Sequence, residues 1–129
     1  MEKDTVREKL DQILVAVYDS KATDPVLLKL DRISTVADYF FICSGSSSRQ
    51  VQAIAEHILE RVKKDGGFMP LGIEGKSQGH WVLIDFGDVV AHIFYKPVRE
   101  FYDLEGLWSE AENIKLTRPE AVSEYNRHK

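Results

Sequence analysis

The run His80-Trp81-Val82-Leu83-Ile84-Asp85-Phe86-Gly87-Asp88-Val89-Val90-Ala91-His92-Ile93-Phe94-Tyr95 decides the fold. Two apolar stretches rich in β-branched and aromatic residues flank Gly87-Asp88, the signature of a tight β-hairpin. A two-residue loop sets the register. Phe86 then faces Val89, Asp85 faces Val90, Ile84 faces Ala91, Leu83 faces His92, Val82 faces Ile93 and Trp81 faces Phe94. Side chains alternate between the faces of a sheet. One face therefore carries Val82, Ile84, Phe86, Val89, Ala91 and Ile93 and must be core. The other carries Trp81, Leu83, Asp85, Val90, His92 and Phe94, and what it meets is the functional question.

Outward from the hairpin, the chain reads as one α/β unit. Val6, Leu10, Ile13, Leu14 and Val17 recur at helical spacing, and Thr5-Val6-Arg7-Glu8 has the spacing of a capping box. Pro25 ends that pattern, and Val26 to Leu30 is a short strand candidate. Tyr39-Phe40-Phe41-Ile42-Cys43 is nearly all apolar, as a strand buried on both faces should be. A second helix follows, capped at Ser47 and striped by Val51, Ile54, Ala55, Ile58, Leu59 and Val62, with Gly66-Gly67 at its end. Phe68 to Ile73, interrupted by Pro70 and Gly72, suits an edge strand. After Tyr95, Pro97 starts a helix running to about Tyr102, and Leu104, Leu107 and Trp108 suggest a further helical turn. The expected architecture is a single mixed sheet of about five strands flanked by helices.

Composition sets bounds on function. A chain of 129 residues with 43% hydrophobic residues can bury a core without a metal or disulfide staple. With 17 basic and 21 acidic side chains the net charge is −4, which argues against extensive direct nucleic-acid binding and suits a basic partner. The single Cys43 excludes an internal disulfide and fits a reducing compartment. The charged first residues are not a secretory signal, and no apolar run approaches the roughly 20 residues of a membrane span. A cytoplasmic protein is expected, with no membrane partner.

Catalytic constellations are hard to find. Ser44-Gly45-Ser46-Ser47-Ser48-Arg49 joins a buried strand to a helix N-terminus, where free N–H groups can hold an anion. Five small residues can equally just make the turn and cap the helix, and no Lys completes a P-loop. The loop also lacks the G-x-S-x-G of a nucleophile elbow. His57, His80, His92 and His128 show no metal-ligand spacing with one another or with Cys43. Asp88 is accounted for by its turn position. Asp85 interrupts an apolar strand and has two readings: support for His92 diagonally across the ladder, or a strand end in water. No metal, no cofactor and no enzymatic activity are expected.

The aromatic hairpin face is the better lead. Uncovered, Trp81, Leu83, Val90 and Phe94 would form an apolar patch of the kind that marks interaction sites. Arg99 and Tyr102, just downstream, are of types enriched at binding hot spots. Alternatively a third layer packs there, making Trp81 core and His92 a satisfied buried imidazole. The residues alone leave both readings open.

Several blocks also carry a family pattern. Asp38-Tyr39-Phe40, Cys43-Ser44-Gly45-Ser46-Ser47-Ser48-Arg49-Gln50-Val51, Pro70-Leu71-Gly72-Ile73-Glu74-Gly75, the hairpin from Trp81 to His92, and Arg99-Glu100-Phe101-Tyr102-Asp103-Leu104-Glu105-Gly106-Leu107-Trp108 stand in order. Together they resemble the ribosomal silencing factor family, also called Iojap-like, from the first helix to about Trp108. The resemblance implies a nucleotidyltransferase-like α/β fold without that fold's acidic metal ligands. It implies a translational repressor that binds large-subunit ribosomal protein fourteen and sterically blocks joining of the small subunit. It also implies a tendency to form homodimers. On this reading residues 1–109 form the domain and 110–129 a solvated tail outside the pattern. The partner-binding residues expected are Trp81, Leu83, Asp85, His92, Phe94, Arg99 and Tyr102. The alternative is nucleotide binding or residual nucleotidyltransferase-like activity at Ser44–Arg49.

Overall fold

The parallel pairing of two apolar strands, β2 (Tyr39–Gly45) and β5 (Val89–Tyr95), forms the spine of the computed structural model. The structure describes residues 2–116, with side chains from Thr5 onward. Around that spine run α1 (Glu2–Asp19), β1 (Thr23–Lys29), α2 (Ser48–Gly66), β3 (Gly72–Glu74), β4 (Trp81–Asp85), α3 (Lys96–Tyr102), α4 (Leu104–Leu107) and β6 (Glu112–Ile114). The strands make one mixed sheet of six in the order β3-β4-β5-β2-β1-β6. Every neighbouring pair except β2 and β5 is antiparallel.

The hairpin register is the one dictated by a two-residue loop: Trp81 pairs with Phe94, Leu83 with His92 and Asp85 with Val90. Gly87 takes φ +94°, a conformation favourable for glycine. The loop is anchored from three sides. Phe86 N–H donates to Val89 O at 2.9 Å, the N–H groups of Asp38 and Tyr39 donate to Asp88 O, and Lys9 Nζ bridges Phe86 O and the Asp88 carboxylate.

Two apolar layers sandwich the sheet. On one side α1 and α2 pack Ile13, Val17, Ile54 and Ile58 against Phe41, Cys43, Val82, Ile84, Phe86, Val89, Ala91 and Ile93. The all-apolar hairpin face is thus core throughout, each large side chain contributing about 1.5–3 kcal/mol. On the other side α3 and α4 cover a smaller cluster of Leu28, Phe40, Ile42, Val90, Phe94 and Leu104.

The ends of α2 follow from its sequence: Ser47 Oγ accepts from Gln50 N–H, and Gly67 closes the helix in the left-handed region at φ +74°. Asp103, at φ +48°, separates α3 from α4 and accepts from Gly106 N–H. Three expectations need correction. Helix α1 already runs from Glu2, so Thr5 lies inside it rather than at its N-cap, because hydroxyl-to-acid spacing recurs inside helices as well. A sixth strand exists: three residues with one apolar side chain are too short to show a period, and β6 forms by pairing with β1. Residues 112–114 therefore belong to the sheet and not to a solvated tail, while 117–129 lie outside the described residues.

Candidate partner-binding surface

Six residues share the second hairpin face, but the two strands expose them unequally. β5 lies between β4 and β2, and its chain turns at Tyr95 straight into α3, with Pro97 in the first turn. Helices α3 and α4 then fold back over β5 and β2. Val90, His92 and Phe94 are buried, with Phe94 fully so. Trp81, Leu83 and Asp85, on β4, remain half-exposed. The third-layer reading thus holds for β5. His92 and Phe94, 3% and 0% exposed, have almost no surface to offer a partner.

Trp81 is the centre of what remains. Its ring stacks on Phe94 at 4.7 Å and lies 5.1 Å from Tyr102, and its Nε1–H donates to His92 Nδ1 at 3.1 Å. Tyr102 meets Phe101 edge-on at 5.1 Å. Phe101 is 81% exposed, Tyr102 51% and Leu107 76%. The half-exposed indole therefore continues through Tyr102 into Phe101, an apolar surface standing on a buried foundation. Phe101 and Leu107 were missed by the sequence reading. Helices of seven and four residues show no hydrophobic period, but neither can bury two sides, and the buried side here is taken by Arg99 and Leu104.

Arg99 is the other correction. It is 9% exposed, and its guanidinium faces inward. Nη1 donates to Ser44 Oγ at 2.7 Å and to Asp24 O at 2.8 Å, while Nη2 pairs with Glu105 at 2.8 Å. One planar fork thereby ties α3 to the end of β2, to β1 and to α4. Asp85 also resolves: its carboxylate accepts from Gly87 N–H at 2.8 Å, supporting the turn and not His92. His92 is held neutral, since burial pushes its pKa down to about 4. The donor-only indole fixes Nδ1 as acceptor and so puts the imidazole proton on Nε2.

Two acids share the face. Glu74 pairs with Leu83 across β3 and β4 and so shares the Trp81 face, and Asp85 lies on the same face of β4.

The first four residues of the Ser44–Arg49 loop have structural roles. Ser44 holds Arg99, Ser46 N–H and Oγ both donate to Gln50 Oε1, and Ser47 caps the helix. Gly45 sits where a Cβ would come within 3.0 Å of Val51. Cys43 is sealed in the core, and burial pushes its thiol up to about 12. Among the described residues no group of three or more His, Cys, Asp or Glu side chains could hold a metal ion. No described helix is long and apolar enough to cross a membrane.

Comparison with known proteins bears on the same residues. The family model described as "Ribosomal silencing factor during starvation" matches residues 3–129, so the pattern extends beyond Trp108 and includes β6 and the segment after it. The ribosomal silencing factor RsfS of Halalkalibacterium halodurans is 46% identical over 110 residues, 85% of this chain and 93% of that protein. A crystal structure of a Chromobacterium violaceum protein superposes with a TM-score of 0.77 at 34% identity, covering 80% of this chain and 85% of the other. Another from Bacillus halodurans gives 0.74 at 43% identity, covering 85% and 99%. Matched over residues 3–129 by the family model, and over 85% of its length by a relative of similar size, the chain belongs to the ribosomal silencing factor family.

Proposed function

We propose that this protein represses translation by occupying the large ribosomal subunit, through ribosomal protein fourteen, so that the small subunit cannot join. It acts by steric occlusion in the cytoplasm and catalyses no reaction. The observation that carries this reading is the Trp81–Tyr102–Phe101 surface, aromatic, partly exposed and backed by a buried layer. Rigid aromatic anchors of this kind dominate binding energy at protein interfaces. Glu74 and Asp85 on that face, in a chain of net charge −4, suit a basic ribosomal protein. Relatives that bear the name ribosomal silencing factor support the ribosome as target.

Trp81, Leu83 and Tyr102 contact the partner in this account, with Phe101 extending the surface. Asp85 contributes at the rim. His92, Phe94 and Arg99 act from beneath. The chain also forms homodimers in this account, a second use for an apolar sheet face.

Light scattering of subunit joining, with and without the protein, is the test. Stoichiometric protein should suppress joining, and Trp81→Ala should weaken binding to isolated large subunits by about 2 kcal/mol, or about thirtyfold. Undiminished joining at molar excess would overturn the function. Undiminished binding by Trp81→Ala would overturn the site.

A further inference from the structure

His92 is an anomaly in its layer. Its surroundings are aromatic, with Phe40 edge-on at 4.6 Å and Phe94 stacked at 6.3 Å. It is 3% exposed, and its Nε2 has no protein hydrogen-bond partner among the described residues. Packing alone would favour a phenyl ring at this position, which buries no polar atom. What the imidazole supplies and a phenyl cannot is the acceptor at Nδ1, 3.1 Å from the Trp81 indole N–H. The two residues are diagonal neighbours across the β4–β5 ladder, since Trp81 pairs with Phe94 and Leu83 with His92.

We infer that His92 is a positioning residue, a buried hydrogen-bond acceptor that fixes the Trp81 indole in one orientation on the docking face. This rests on the proposed role of Trp81 in binding. The stack on Phe94 sets the plane of the indole but does not choose which edge faces inward. A donor held by an acceptor from below makes that choice. It turns Nε1 inward to the buried His92, while the ring lies beside Tyr102. The hydrogen bond is then satisfied before docking, so binding has neither an indole N–H to desolvate nor a rotamer to freeze. Burial keeps the imidazole neutral across the physiological range, so the acceptor is always available.

Three variants in the full chain test this, read by large-subunit binding, thermal midpoint and the indole N–H signals of Trp81 and Trp108. In the unaltered protein the Trp81 indole N–H should exchange slowly with solvent and give one resonance. His92→Phe should release that protection and weaken binding about tenfold, the worth of one neutral hydrogen bond, without lowering the thermal midpoint. His92→Asn carries an amide oxygen near the position of Nδ1 and should restore binding to within about threefold of wild type. A purely structural histidine predicts the reverse, a lowered midpoint with binding unchanged in the folded fraction. If Trp81→Ala weakens binding and folded His92→Phe does not, the positioning role is wrong and the docking surface stands. If Trp81→Ala itself binds normally, the docking reading fails and this inference with it. Fast solvent exchange of the Trp81 indole N–H in the unaltered protein overturns the inference even if neither His92 variant folds.

Discussion

Strands β4 and β5 offer the same face of one hairpin the same kind of residues, Trp81 and Leu83 on one and Phe94 and His92 on the other. Yet the first pair is half-exposed and the second buried. The difference lies in what flanks each strand. β5 is central and leads directly into the helices that cover it, whereas outside β4 stands only the three-residue β3. Alternation decides which face a residue joins, and position in the sheet decides whether that face meets protein or solvent. An interaction surface can thus form at the margin of a core layer, with half of one aromatic cluster as foundation and half as contact.

Replacing Phe94 gives the largest expected effect. Phe94→Ala removes a fully buried ring and should cost about 3–5 kcal/mol in denaturant unfolding, whereas Leu83→Ala should cost about 1 kcal/mol. Similar losses would erase the distinction between the strands. The second effect is pH-dependent. The His92 imidazole titrates at 6.5 when unperturbed and at about 4 in the fold, so the unfolded chain takes up its proton first as pH falls. Stability linked to the neutral form is complete above pH 6.5 and drains away towards pH 4, by on the order of 3 kcal/mol. Unfolding curves of His92→Phe should lack that part of the pH dependence, and an unchanged slope would place the proton uptake elsewhere.

Smaller effects belong to the exposed half of the cluster. Tyr102→Ala should weaken large-subunit binding by about 1–2 kcal/mol with little change in stability. Phe101→Ser, at a ring 81% exposed, should move stability by less than about 0.5 kcal/mol and binding by about 1 kcal/mol. If Phe101→Ser binds normally, the contact surface ends at Tyr102.

Much of this was legible because the signals are local. Gly87-Asp88 fixes a register that propagates to Trp81 and Phe94, and the stripe from Val51 to Val62 allows only one buried face for α2. What escaped depends on contacts distant in sequence or on elements too short to carry a period. β6 exists because β1 is there to pair with it. The burial of His92 comes from Phe40, Trp81 and Phe94, rings on three strands that only the folded sheet brings together. Arg99 looked like a surface arginine because the groups that draw it inward, Ser44 and Asp24, lie far back in the chain. Asp85 could not be assigned until its carboxylate was seen to reach the Gly87 N–H.

Cys43 gives the molecule a built-in chemical clock. It is the only thiol in the chain, it is fully enclosed, and its proton is held to about pH 12. Thiolates, not thiols, react with alkylating agents and peroxides. In the closed protein such reagents should therefore leave it untouched, and oxidants should produce neither a mixed disulfide nor a crosslinked pair of chains. Modification can proceed only through an opening that brings the central strand into water. The rate of alkylation under native conditions then reports the fraction of molecules whose sheet is open at its spine, with no residue replaced.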